Sequence, residues 1–213
     1  MRLYGYWRSS ATYRVRIALA LKKLAYEYSA INLLKNEQQS PDYLLISPQG
    51  LVPTLIDANG ARLNQSLAII EYLEEAYPDP PLLPVSPTGR ARARAIAAAI
   101  ACEAQPFGNL RIMNYLKDEA GLADEARRAF LNRWVGGALK AVDRMARETA
   151  GRFCVGDAPT LADVFVVPQL ATARRFSVDI DECATLLAIE ENCARLEAFQ
   201  RARPENQPDA VKS

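Results

Sequence analysis

The first part of the chain carries two hydrophobic periods in turn. Residues 3–7 form a short apolar run that predicts a strand, and residues 10–23 predict a helix. Along that helix and one residue past its end, Ile17, Ala20, Leu21 and Leu24 recur at i, i+3, i+4 and i+7. A second strand is predicted over 26–31, a short weak helix over 38–46, and a hairpin from 54–57 and 61–64 that turns on Asn59-Gly60. Residues 66–77 close the segment as a helix whose Ile69, Tyr72, Leu73 and Ala76 make one stripe. The predicted order is βαβαββα.

Residues 78–89, PDPPLLPVSPTG, hold five of the 13 prolines. Proline fits neither a helix interior nor a central strand, so this is read as a stiff connection. Beyond it the period is helical over 88–120, 124–149 and 160–175, with two shorter pieces inside 182–200. Thr160-Leu-Ala-Asp163 has the form of a helix cap. Arg90, Arg92 and Arg94 alternate, so a helix cannot gather them into one cationic stripe, and they read as a solvated face. The fold class expected is an α/β domain at 1–80, a linker at 81–88 and an all-α domain at 89–213.

Composition narrows the function. Half of the 213 residues are apolar, enough for a sizeable core, and 26 Lys plus Arg nearly cancel 25 Asp plus Glu. Such a balance lacks the field that nucleic acid or an anionic membrane surface requires, so a small-molecule partner is expected, with no nucleic acid and no membrane. The amino terminus is too briefly apolar for a secretory signal, and no run approaches the ~20 apolar residues of a membrane span. Cys102, Cys154, Cys183 and Cys193 show no CxxC pair or zinc spacing. Reduced thiols, no metal site and a cytoplasmic location are therefore expected. Histidine is absent, which removes Ser-His-Asp and Cys-His triads and histidine bases.

Three short sequences carry candidate chemistry. Arg8-Ser9-Ser10 joins the first strand to the first helix, where free N–H groups and the positive dipole end suit an anion such as a thiolate. Leu51-Val52-Pro53-Thr54 sets a proline just before a strand, and a cis bond there would leave the Val52 backbone open to a peptide-like ligand. Gln65-Ser66 opens the next helix and offers a hydroxyl with backbone N–H groups to a carboxylate. Taken alone, each serine site reads first as an ordinary helix cap; together with the proline loop, three such sites in one βαβαββα unit point toward a ligand.

RSSATYRVRIALALK, LVPTL and NQSLAIIEYLEEAYP together resemble the amino-terminal half of the zeta-class glutathione transferases, maleylacetoacetate isomerases among them. The resemblance continues through QPFGNLRI, CVGDAPTLADVFVVPQL, ARRFSVD and LEAFQRARPENQPD, and so covers nearly the whole chain. It implies a thioredoxin-like domain that binds glutathione, an all-helical domain that completes the substrate site, and a homodimer. Ser9 is implied as the hydroxyl that holds the glutathione thiolate, helped by Ser10 and the helix terminus at Ala11. Val52 and Pro53 are implied to pair with the cysteinyl backbone and Gln65 and Ser66 to hold the glutamyl end, with Gln39, Gln105 and Asn109 as further contacts. Arg8, Arg111 and Arg175 match positions that line the substrate site, as expected for an acid with two carboxylates.

The implied reaction is cis–trans isomerisation of maleylacetoacetate to fumarylacetoacetate, in aromatic amino acid catabolism, by thiolate addition, bond rotation and elimination. Maleylpyruvate isomerisation and general zeta-class transfer are the alternatives. The zeta pattern reads Ser-Ser-Cys where this chain has Ser9-Ser10-Ala11, so the chain has no thiol of its own in that turn.

Overall fold

The structure is a computed structural model that describes residues 1–211. It divides into two compact units, Met1–Leu82 together with the stretch from Arg195 onward, and Leu83–Ala194.

In the first unit the elements follow the predicted order: β1 (Arg2–Gly5), α1 (Ser10–Leu21), β2 (Glu27–Ala30), α2 (Pro41–Leu44), β3 (Thr54–Ile56), β4 (Arg62–Asn64) and α3 (Ser66–Ala76). The sheet runs β2-β1-β3-β4, with β2 parallel to β1 and the other two pairings antiparallel. β1 ends two residues earlier than the apolar run suggested. Tyr6 accepts the Ser9 N–H at 3.0 Å and so begins a turn, while both backbone groups of Trp7 go to side chains. Within the 38–46 segment a 3-10 turn ends at Gln39 and a single turn of helix, α2, follows.

The stripe expected on α1 is replaced by burial all round, from Thr12 to Leu19. The cause lies at the far end of the chain: α10 (Glu197–Ala202) packs on α1, as α3 does. This corrects the expected domain of 89–213, because its last part belongs with the first unit. On α3 the buried face is Ile69, Ile70 and Leu73 with Glu74, rotated from the predicted stripe, and Ala76 is exposed. Gly5 matters to the packing, since a Cβ there would lie 2.3 Å from Thr12 Cγ2 and hold α1 off β1.

The second unit is helical. The single helix expected over 88–120 is broken into α4 (Pro87–Ala99), a π turn, a 3-10 turn (Gln105–Gly108), α5 (Leu110–Asn114) and a second π turn. Pro106 lacks the N–H that a continuing helix needs, and Asn109 starts a new one by capping it. The helix expected over 124–149 is α6 (Asp124–Leu131) and α7 (Gly137–Arg147), joined by a third π turn. α8 (Leu161–Arg175) packs on α4 and α9 (Ala184–Ala194), passing through Pro168 without a break. Its capping box is present, with Asp163 fully buried and accepting from Thr160 N–H at 2.7 Å and Cys154 N–H at 2.8 Å. Among the described residues no helix is long and apolar enough to cross a membrane.

Candidate functional site

The register of the sheet collects the candidate residues of the first unit. Tyr4 of β1 pairs with Thr54 of β3, and Thr54 pairs with Asn64 of β4. The turn after β1, the loop before β3 and the start of α3 therefore share one end of the sheet. That places Arg8, Ser9, Ser10, Ala11, Val52, Pro53, Gln65 and Ser66 on one rim.

Ser9 is the N-cap of α1. Its Oγ accepts the Thr12 N–H at 3.2 Å and its carbonyl accepts the Tyr13 N–H at 2.9 Å. With one lone pair held by Thr12, the hydroxyl keeps its hydrogen for an acceptor outside the helix. The N–H groups of Ser10 and Ala11 have no hydrogen-bond partner among the described residues, and no acidic residue occupies the first turn. Three donors thus lie together at the positive end of a 12-residue helix. Arg8 is exposed beside them, its guanidinium 5.0 Å from the Trp7 ring centroid.

The Val52–Pro53 peptide is cis, and neither backbone group of Val52 bonds to another backbone group among the described residues. The loop is braced from behind. Leu51 C=O accepts from Tyr43 OH at 2.8 Å and Ser47 Oγ at 2.9 Å, and Thr54 Oγ1 lies 3.1 Å from Tyr43 OH and donates to Asn64 Oδ1 at 2.7 Å. Burial pushes the Tyr43 phenol up, so it stays a donor. Gln39 reaches the Gly50 carbonyl at 3.4 Å, and a Cβ at Gly50, where φ is +59°, would strike that amide.

Gln65 has φ +68°, a strained value for a residue with a side chain, and donates to Gln49 Oε1 at 2.8 Å. Ser66 is buried, and its Oγ accepts from Arg14 Nη1 at 3.3 Å. The Arg14 guanidinium is itself buried, 1% exposed, so a cation lies directly behind the helix start. The sequence reading missed Arg14. The available signal was a pair of arginines two positions apart inside an otherwise apolar helix.

In the second unit, Gln105 opens the 3-10 turn and Asn109 caps α5, its Oδ1 accepting the Arg111 N–H at 3.0 Å. A Cβ on Gly108 would meet Thr172 and Phe176 at ordinary contact distance, so this turn packs against the end of α8. Arg111 and Arg175 are both exposed, and the Arg175 guanidinium sits 4.5 Å over the Phe176 ring. Among the described residues no group of three His, Cys, Asp or Glu side chains converges as a metal site would.

Residues 3–81 match the family model described as glutathione S-transferase, N-terminal domain. A maleylacetoacetate isomerase of Rhizobium meliloti is 47% identical over 204 residues, 95% of each chain. A holo maleylpyruvate isomerase, described as a bacterial glutathione S-transferase of the zeta class, superposes with a TM-score of 0.95 at 43% identity, covering 99% of this chain and 100% of that one. A maleylacetoacetate isomerase from Anaeromyxobacter dehalogenans, solved with dicarboxyethyl glutathione and citrate in its active site, gives a TM-score of 0.88 at 43% identity over 99% and 97% of the two chains.

Proposed function

Because the chain belongs to the zeta class of glutathione transferases, we propose that it is a glutathione-dependent isomerase that turns maleylacetoacetate into fumarylacetoacetate. The observation that carries this reading is the Ser9 turn, whose hydroxyl is oriented by Thr12 and flanked by two free N–H groups. Glutathione, when bound, supplies a sulfur nucleophile whose addition to the maleyl double bond, and later departure, lets that bond rotate. The chain's residues fit that tripeptide in three places: Ser9 at its sulfur, the open Val52 backbone beside Pro53 at its middle, and Ser66 with Arg14 behind it at its glutamyl carboxylate. Gln39, Gln65, Gln105 and Asn109 are proposed as further contacts.

The chain's own work is electrostatic and positional. Ser9 Oγ–H and the Ser10 and Ala11 N–H groups favour the ionised sulfur and so lower its pKa toward neutrality. Arg8, Arg111 and Arg175 are proposed to hold the two substrate carboxylates, for which a planar guanidinium is suited. Ala11 brings no thiol to the turn, so all the sulfur chemistry falls to bound glutathione. We assign glutathione binding to the first unit, and we propose a homodimer in the cytoplasm serving tyrosine and phenylalanine catabolism.

The test is loss of the cis acid, followed by absorbance, with maleylacetone and maleylpyruvate as separate substrates. Ser9→Ala is expected to lower kcat/KM about 10²-fold or more, and Ser9→Thr to recover part of it. Near-normal turnover by Ser9→Ala and Arg175→Ala at neutral pH would overturn the assignment. Because the superposed maleylpyruvate isomerase is as similar as the maleylacetoacetate isomerases are, a higher kcat/KM on maleylpyruvate would make that acid the substrate.

A further inference from the structure

The stretch from Arg195 onward returns to the first unit and reaches the turn that carries Ser9. Asp209 Oδ2 accepts the Trp7 N–H at 3.0 Å, and Tyr28 OH, from β2, donates to the same oxygen at 3.3 Å. Arg16 of α1 donates Nη2 to the Trp7 carbonyl at 3.0 Å and Nε to the Ala202 carbonyl, at the end of α10, also at 3.0 Å. Both backbone groups of Trp7 are therefore held by ionic side chains of opposite sign. Trp7 lies inside the turn closed by the Ser9 N–H to Tyr6 carbonyl bond, so its two peptide planes set where Arg8 and Ser9 go.

The two charges do not pair with each other. Arg16 Nη1 and Asp209 Oδ1 are buried and lack hydrogen-bond partners among the described residues, although a direct ion pair would satisfy both. Burial lowers the Arg16 pKa, which nearby Tyr28, Tyr26, Tyr13 and Asp209 offset in part. An arrangement that leaves buried polar atoms unsatisfied is unfavourable, and such violations of local consistency concentrate where function demands them.

We propose that Asp209 and Arg16 are positioning residues for the sulfur-binding turn, which makes the carboxy-terminal stretch part of the apparatus that activates the thiol. This rests on the reading of Ser9 given above. Asp209→Ala frees the Trp7 N–H, loosens the turn, and is expected to move the acidic limb of the kcat/KM profile upward by about one pH unit. Activity at neutral pH then falls about tenfold or more, since small misplacements of a reacting group are costly. A field effect alone has the opposite sign, because removing a carboxylate near an anion lowers the thiol pKa. Asp209→Asn separates the two: its amide oxygen still accepts the Trp7 N–H, so positioning requires it to recover most of the limb, whereas a field effect makes it resemble Asp209→Ala.

The experiment compares wild type, Asp209→Ala, Asp209→Asn and Ser9→Ala by pH–rate profile, by thiolate absorbance of the glutathione complex and by melting temperature. If Asp209→Ala does not fold, Asp209→Glu, which keeps the charge but displaces the oxygen, is expected to shift the limb in the same direction. A limb unmoved by Asp209→Ala or Asp209→Glu, or moved downward, overturns the proposal, as does failure of Asp209→Asn to recover it. If Ser9→Ala leaves the limb in place, it is the reading of the turn that has failed.

Discussion

Gln65 and Arg14 show how single residues depart from local preference at the same spot. A non-glycine residue with φ near +68° costs about 1–3 kcal/mol and persists only where its surroundings hold it, here the Gln49 contact and the Ile69 N–H to Gln65 carbonyl bond. A few ångströms away the Arg14 guanidinium is buried beneath Ser66. A ligand carboxylate at the start of α3 would be attracted by that guanidinium, which already donates to the Ser66 hydroxyl there. Arg14→Met is therefore expected to weaken glutathione binding tenfold or more, in line with about 1.5–3 kcal/mol for a hydrogen bond to a charged group. The acidic limb of the rate profile should stay where it is, because the sulfur is proposed to bind at the other helix start. Titration calorimetry reads the first effect and the pH profile the second; a shifted limb with unchanged affinity would refute this division of labour.

At the scale of elements, the ends of α1 and α3 are joined by a buried ion pair. Lys22 Nζ lies 2.8 Å from Glu74 Oε2 and donates to the Tyr77 and Pro80 carbonyls at 2.7 and 3.1 Å, while the Leu82 N–H donates to the same Glu74 oxygen at 2.9 Å. Lys22→Met leaves a buried carboxylate without its cation and is expected to cost about 3–5 kcal/mol of stability, measured by denaturant unfolding. A loss under about 1 kcal/mol would mean that Glu74 is readily solvated. The order βαβαββα, the Asn59-Gly60 turn and the serine helix starts were legible because each depends on local chemistry. The break at Pro106 was legible in principle from its missing N–H, yet the apolar period on both sides masked it. Burial of α1 on all sides was not legible, because α10, from the other end of the chain, supplies the cover. For the same reason nothing local marked Arg14 and Arg16 as buried, and Asp209 gave no local sign of contacting Trp7. The rim itself follows from pairing register, which the sequence shows only through alternation too short to fix it.

Over the whole molecule, the lack of histidine fixes how pH must act. No side chain of the ordinary neutral-range kind exists in 213 residues, and the formal net charge is +1. Burial raises the Cys154, Cys183 and Cys193 thiols, reinforced by Asp163 at Cys154 and Cys193 and by Asp143 at Cys183. A group whose folded pKa is raised contributes stability that is fully present below its unfolded value and is lost as pH rises toward the folded one. For these thiols the loss begins above about pH 8.5. Stability without glutathione is therefore expected to be level from about pH 6 to 8 and to decline above that, read by melting temperature across the range. Activity over the same window is expected to rise along one limb that coincides with thiolate absorbance of the glutathione complex. Cys102, the exposed cysteine, is the control, and Cys102→Ser should leave that limb in place. A melting temperature that changes between pH 6 and 8, or a limb that moves with Cys102→Ser, would show that a group of the protein titrates there, and the neutral-range chemistry could no longer be assigned to the sulfur held at Ser9.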